Sequence, residues 1–100
     1  MKTTLEERND VILLSVSGEL DADTCPVFQK EIEPLMERKA AKVEMDLSKL
    51  NYISSKALRV LISLMQRLMD NGGSLTVTKV SPSVLDIFDM TGLSRSFIKD

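Results

Sequence analysis

Apolar positions change their spacing several times along the chain, and each change marks an element. Residues 11–18, VILLSVSG, are β-branched or aliphatic at almost every position. Such a run predicts a central strand covered on two faces, which Gly18 closes. The preceding TLEERND predicts a short edge strand ending in the turn-prone pair Asn9-Asp10. Farther on, Val43, Met45 and Leu47 alternate with Glu44 and Asp46, the pattern of a half-buried strand. SLTVTKV, 74–80, predicts another strand, and SRSFIKD at the end a last short one.

Between these runs the spacing becomes helical. Phe28, Ile32, Leu35 and Met36 predict a helix near 24–38, with Asp23 or Thr24 as its cap. Pro26 is tolerated in the first turn, whereas Pro34 should kink or end the regular ladder. In a second helix, near 55–70, Leu58, Leu61, Ile62, Met65, Leu68 and Met69 form one stripe. Lys56, Arg59, Ser63, Gln66 and Asp70 form the opposite face. Asn71-Gly72-Gly73 ends it, with glycine free to adopt the left-handed cap. A third helix, near 82–90, begins at Ser81-Pro82, carries Val84, Leu85, Phe88 and Met90 inward, and stops at Gly92. KLNYI, 49–53, is read as the connection into the second helix.

The order β-β-α-β-α-β-α predicts an α/β fold in one domain over residues 1–100: a mixed sheet of four to five strands with three or more helices. In such sheets, binding sites lie at the carboxyl ends of strands. Two loops fall there, GELDADT (18–24) and NYISSK (51–56), so the carboxylate loop and the pair Ser54-Ser55 are expected to be neighbours.

Composition removes several function classes. The chain has no histidine, which excludes Ser-His-Asp and Cys-His catalysis. Gly72-Gly73 lacks the flanking pattern of a phosphate loop. One cysteine and the spaced pair Asp21/Asp23 make a poor metal site. No enzymatic activity, cofactor or metal is therefore expected. A net charge of −2 argues against a nucleic-acid partner. No apolar run reaches the ~18 residues of a membrane span, and the start lacks a signal peptide. A lone cysteine, Cys25, fits a reducing cytoplasm; it is expected half-buried and inert at a helix start. Met65, Met69 and Met90 are read as core or interface filler, with core favoured.

Ser54 and Ser55 stand where strand-like spacing gives way to helical spacing. One capping serine is worth ~1 kcal/mol, and spacing alone favours that role. A cap does not account for two serines. Exposed hydroxyls at a helix start also stand where free N–H groups and the macrodipole accommodate a phosphate.

The segments SGELDADT, VEMDLSKLNYISSKALRVLISL, NGGSLTV and SPSVLDIFDMTGLSRSF occur in the order found in the STAS domain family. The chain resembles that family over nearly its whole length, and most closely its stand-alone bacterial anti-sigma factor antagonists. The resemblance implies a phosphoacceptor three residues before Leu58, at Ser55. Ser54 takes the preceding position, often an aspartate. Glu19, Asp21 and Thr24 carry over as partner-facing, and Ser54, Ser55, Lys56 and Arg59 complete the docking surface. The implied partners are an anti-sigma factor that is itself a serine kinase, and a resetting phosphatase; the implied outcome is regulation of transcription. ATP and magnesium belong to the kinase. A monomer or weak dimer is expected. Two positions depart from the family pattern: Lys56 replaces a small residue and Ala57 a common glycine. Two other readings of the same resemblance are a lipid-transporter subunit that is not phosphorylated and a scaffold in a signalling assembly.

Overall fold

A computed structural model describes residues 1–92; the terminal strand expected at 94–100 lies outside the described residues. The strands are β1 (Lys2–Arg8), β2 (Val11–Leu20), β3 (Lys42–Leu47), β4 (Leu50–Ile53) and β5 (Ser74–Val80). The helices are α1 (Cys25–Ile32), α2 (Ser55–Asp70) and α3 (Pro82–Thr91). The sheet runs β1-β2-β3-β5, with β4 paired to the far end of β2. Among the described residues, only β1 is antiparallel to its neighbour, and the other pairings are parallel. This is the expected α/β mixed sheet with three helices.

Asn9 and Asp10 turn the β1–β2 hairpin with φ of 52° and 68°. Positive φ at both positions matches the twist of the flanking strands. Beyond the hairpin, β2 departs from expectation in two ways. Its buried residues are Ile12, Leu14, Val16 and Leu20, while Val11, Leu13 and Ser15 on the other face are half-buried. The strand is thus covered on one face only, because the helices share that face. Gly18 does not close the strand. It bends it, at φ 91° and beside a bulge, so that Val11–Ser15 pairs with β3 and Gly18–Leu20 with β4.

The core joins Ile12, Leu14 and Val16 to Val43, Met45 and Leu47 of β3, and to Leu75 and Val77 of β5. Phe28 and Ile32 of α1, Leu61, Leu64 and Leu68 of α2, and Val84 and Phe88 of α3 cover them. α1 gives way at Pro34 to a 3-10 helical turn, Glu33–Glu37, the break expected of that proline. Cys25 is fully buried rather than half-buried.

The buried face of α2 comprises Ala57, Leu58, Val60, Leu61, Leu64 and Leu68. It is rotated from the expected stripe: Ile62 and Met65 are only half-buried, and Met69 is 60% exposed. Met90 is 85% exposed on α3. It follows Phe88 by two positions, so a helix cannot place both on one face. Neither Met69 nor Met90 is core filler.

α2 ends as predicted, with Gly72 at φ 83° and the Gly73 N–H donating to the Leu68 carbonyl at 2.7 Å. Gly73 serves close approach. A Cβ there would overlap the Ala41 carbonyl oxygen, which accepts the Ser74 N–H at 2.9 Å. Gly73→Ala should therefore lose at least the ~1–3 kcal/mol typical of overpacking. An unchanged denaturation midpoint would show that the β3–β5 start can spread without cost.

Candidate functional site

β4 is the element that sequence spacing did not disclose, and it builds the site. Its four residues pair Tyr52 with Glu19 and Ile53 with Leu20. One step later the Ser54 N–H donates to the Leu20 carbonyl at 2.9 Å. The carboxylate loop and the serine pair are therefore neighbours, joined through the backbone at the carboxyl end of β2.

The two serines have different environments. Ser54 is the N-cap of α2: its backbone is extended, φ −80° and ψ 163°, and its Oγ accepts the Ala57 N–H at 3.2 Å. Ser55 is the first helical residue and is exposed. Lys56 and Arg59 are also exposed. The cap therefore uses one hydroxyl and leaves the other at a helix start facing solvent. Ser54→Ala should cost about 1 kcal/mol, and Ser55→Ala less, because only Ser54 satisfies an orphan N–H. Equal thermal shifts for the two variants would contradict that division.

The loop between β2 and α1 is held by its own side chains. The Thr24 hydroxyl donates to the Glu19 carbonyl at 2.8 Å and accepts the Asp21 N–H at 2.9 Å. Asp21 Oδ1 accepts the N–H groups of Asp23 and Thr24, each at 3.0 Å. The Thr24 N–H, foremost among these contacts, holds the Asp21 carboxyl below its usual range, against the opposing effect of burial. Thr24 occupies the N-cap position of α1, but its side chain makes no capping bond because its hydroxyl turns back into the loop. Asp21 and Thr24 are half-buried, while the Glu19 side chain is exposed.

α3 closes the far side. The Ser81 hydroxyl donates to the Leu50 carbonyl and accepts the Val84 N–H at 3.3 Å, fixing the start of α3 beside β4. A groove of about 240 Å³ then opens between β4, the first turn of α2 and α3. Ser55 lines it together with Tyr52, Leu58, Ile87 and Met90. Sequence spacing missed this groove. The available signal was the helical register that separates Met90 from Phe88.

Among the described residues, no three metal-ligating side chains cluster. No helix among them is long and apolar enough to cross a membrane.

Comparison with known proteins places this geometry. The chain is 31% identical to the anti-sigma-B factor antagonist of Bacillus subtilis, over 88% of this chain and 79% of that one. An anti-sigma factor antagonist from Mycobacterium paratuberculosis has a solved structure that matches with a TM-score of 0.85. It is 26% identical, over 97% of this chain and 83% of that one. The fold is shared with the antagonist SpoIIAA in its unphosphorylated form, at a TM-score of 0.77, 19% identity, and coverage of 99% and 87%. It is shared too with Bacillus SpoIIAA in the phosphorylated form, at a TM-score of 0.69, 18% identity, and coverage of 99% and 90%. The STAS domain family model matches residues 2–100. With the strand order, the serine-headed helix and the carboxylate loop all in place, the chain belongs to the STAS domain family.

Proposed function

We infer that the chain is an anti-sigma factor antagonist: a binding protein that captures an anti-sigma factor and is switched off by phosphorylation of Ser55. The observation that carries this reading is the division of labour between the serines. Ser54 is engaged as the cap, while Ser55 stands exposed at the helix start. The docking surface combines Glu19, Ser54, Ser55, Lys56 and Arg59, with Asp21 and Thr24 holding the adjacent loop in shape. The names of the relatives support the antagonist role.

A phosphate adds about −1.5 to −2 charges. At the start of α2 it meets free N–H groups and the positive end of the helix, so the domain itself tolerates it. A partner seated on the same surface does not, because the new charge is desolvated against it. Switching therefore happens at the interface, with little change of fold.

The kinase is the anti-sigma factor itself, and a phosphatase restores binding. The test is incubation of the chain with its cognate anti-sigma factor and ATP-magnesium, followed by mapping of the modified residue. Phosphate on Ser55, absent from Ser55→Ala, is the expected result; phosphate on Ser54 or no phosphate would refute the switch.

A further inference from the structure

We propose that the groove beside Ser55 is the seat for a large apolar side chain of the anti-sigma partner, anchored by a partner carboxylate on Lys56 or Arg59. This deepens the antagonist reading and rests on it.

The groove is apolar where a surface is usually polar. Ile53 and Leu58 are buried, Ile87 is half-buried, and Tyr52 and Met90 are 47% and 85% exposed. Two of the large apolar residues left exposed among those described therefore meet in one groove. Exposed methionine and tyrosine are adaptable contact residues, enriched where one protein seats on another. One wall is tied to another: the Ser81 hydroxyl, which caps α3, also bonds the Leu50 carbonyl of β4.

Charge sets the direction from which the partner approaches. Lys56 and Arg59 are exposed, and neither takes part in an ion pair among the described residues. α3 instead carries exposed carboxylates, Asp86 and Asp89. The exposed cations nearest Ser55 in sequence are therefore on α2, outside the groove lining itself. A segment with an apolar side chain in the groove and a carboxylate toward α2 satisfies both features. Ser55 lines the groove and directly precedes Lys56 in the first turn of α2. A phosphate there narrows the seat and competes with the partner's carboxylate for Lys56.

A second groove, lined by Leu5, Ile12, Pro34 and Leu35, lies at the opposite end of β2 and supplies the control. The experiment is calorimetric titration of the full chain and its variants with the purified cognate anti-sigma factor. Met90→Glu, at so exposed a position, should keep the wild-type circular dichroism spectrum and bind at least about tenfold more weakly, as expected for a contact anchor. Leu5→Glu should bind as wild type. Wild-type affinity for Met90→Glu alongside weak binding by Ser55→Asp would overturn the seat and leave the switch standing. Weak binding by Met90→Glu with full binding by Ser55→Asp would support the seat and remove the switch. Equal losses for Met90→Glu and Leu5→Glu would also overturn the seat. Absence of binding by the wild-type chain would overturn the antagonist reading and the seat with it. A nuclear Overhauser contact between the Met90 methyl and the ring of Phe97 would assign the groove to the chain's own end and overturn the proposal.

Discussion

Leu61→Ala should lower the stability of the chain by about 2–5 kcal/mol, read as a shift of the urea midpoint at constant slope. Leu61 is fully buried in α2 and belongs to the cluster shared by the helices and the sheet. Its removal loses the transfer free energy of the side chain and leaves a cavity that the packed neighbours fill only in part. A domain of this size has only ~5–15 kcal/mol in total, so the effect should be large. Leu58→Ala belongs to the same class, but Leu58 also lines the groove beside Ser55, so Leu61 isolates the core contribution. A wild-type midpoint for Leu61→Ala would mean that α2 does not pack as described.

The second large effect concerns binding. Ser55→Asp should remain folded, because a carboxylate at a helix start is favourable by ~0.3–1 kcal/mol. Ser55→Ala should remain folded and competent to bind, since the cap is Ser54 and alanine is a good helix former. The two variants should nevertheless differ in affinity for the anti-sigma factor. A charge buried without a partner in an interface costs several kcal/mol, which corresponds to roughly a hundredfold or more in affinity. Lys56 moderates this loss if its ammonium reaches the new carboxylate, so adding Lys56→Ala to Ser55→Asp should deepen it. Equal affinities for the Ala and Asp variants would reduce the serine pair to a helix cap. The transporter-subunit and scaffold readings would then move ahead.

The sequence disclosed elements whose signals are local. The helix starts at Ser54-Ser55 and Ser81-Pro82 were legible because capping and proline geometry act within one turn. The stops at Asn71-Gly72 and Gly92 were legible because both glycines adopt the left-handed conformation. The alternation in β3 was legible because one side of that strand faces the core and the other does not. β4 was not, because a four-residue strand carries too little periodicity to separate it from a connection. The rotation of α2 was missed because α1, the 3-10 turn and β5 share its surface, and only their arrangement selects which residues of a wide apolar arc are covered.

By itself, then, the sequence determined the α/β class, the three helices, the family resemblance and the serine pair at a helix start. Each rests on contacts between residues a few positions apart, or on segments that keep their order along the chain. The tertiary structure decided the rest. It showed that Gly18 redirects β2 from β3 to β4, and that the Leu20 carbonyl holds Ser54 beside the carboxylate loop. It showed that Ser54 is the cap while Ser55 faces solvent, and that Met90 stands on the rim of a groove. Apart from the cap bond itself, which spans three residues, those features depend on hydrogen bonds and packing between segments 30 or more residues apart, such as Ser54 to Leu20 and Ser81 to Leu50. Hydrophobic spacing specifies which face of an element is apolar, but not which neighbour covers it.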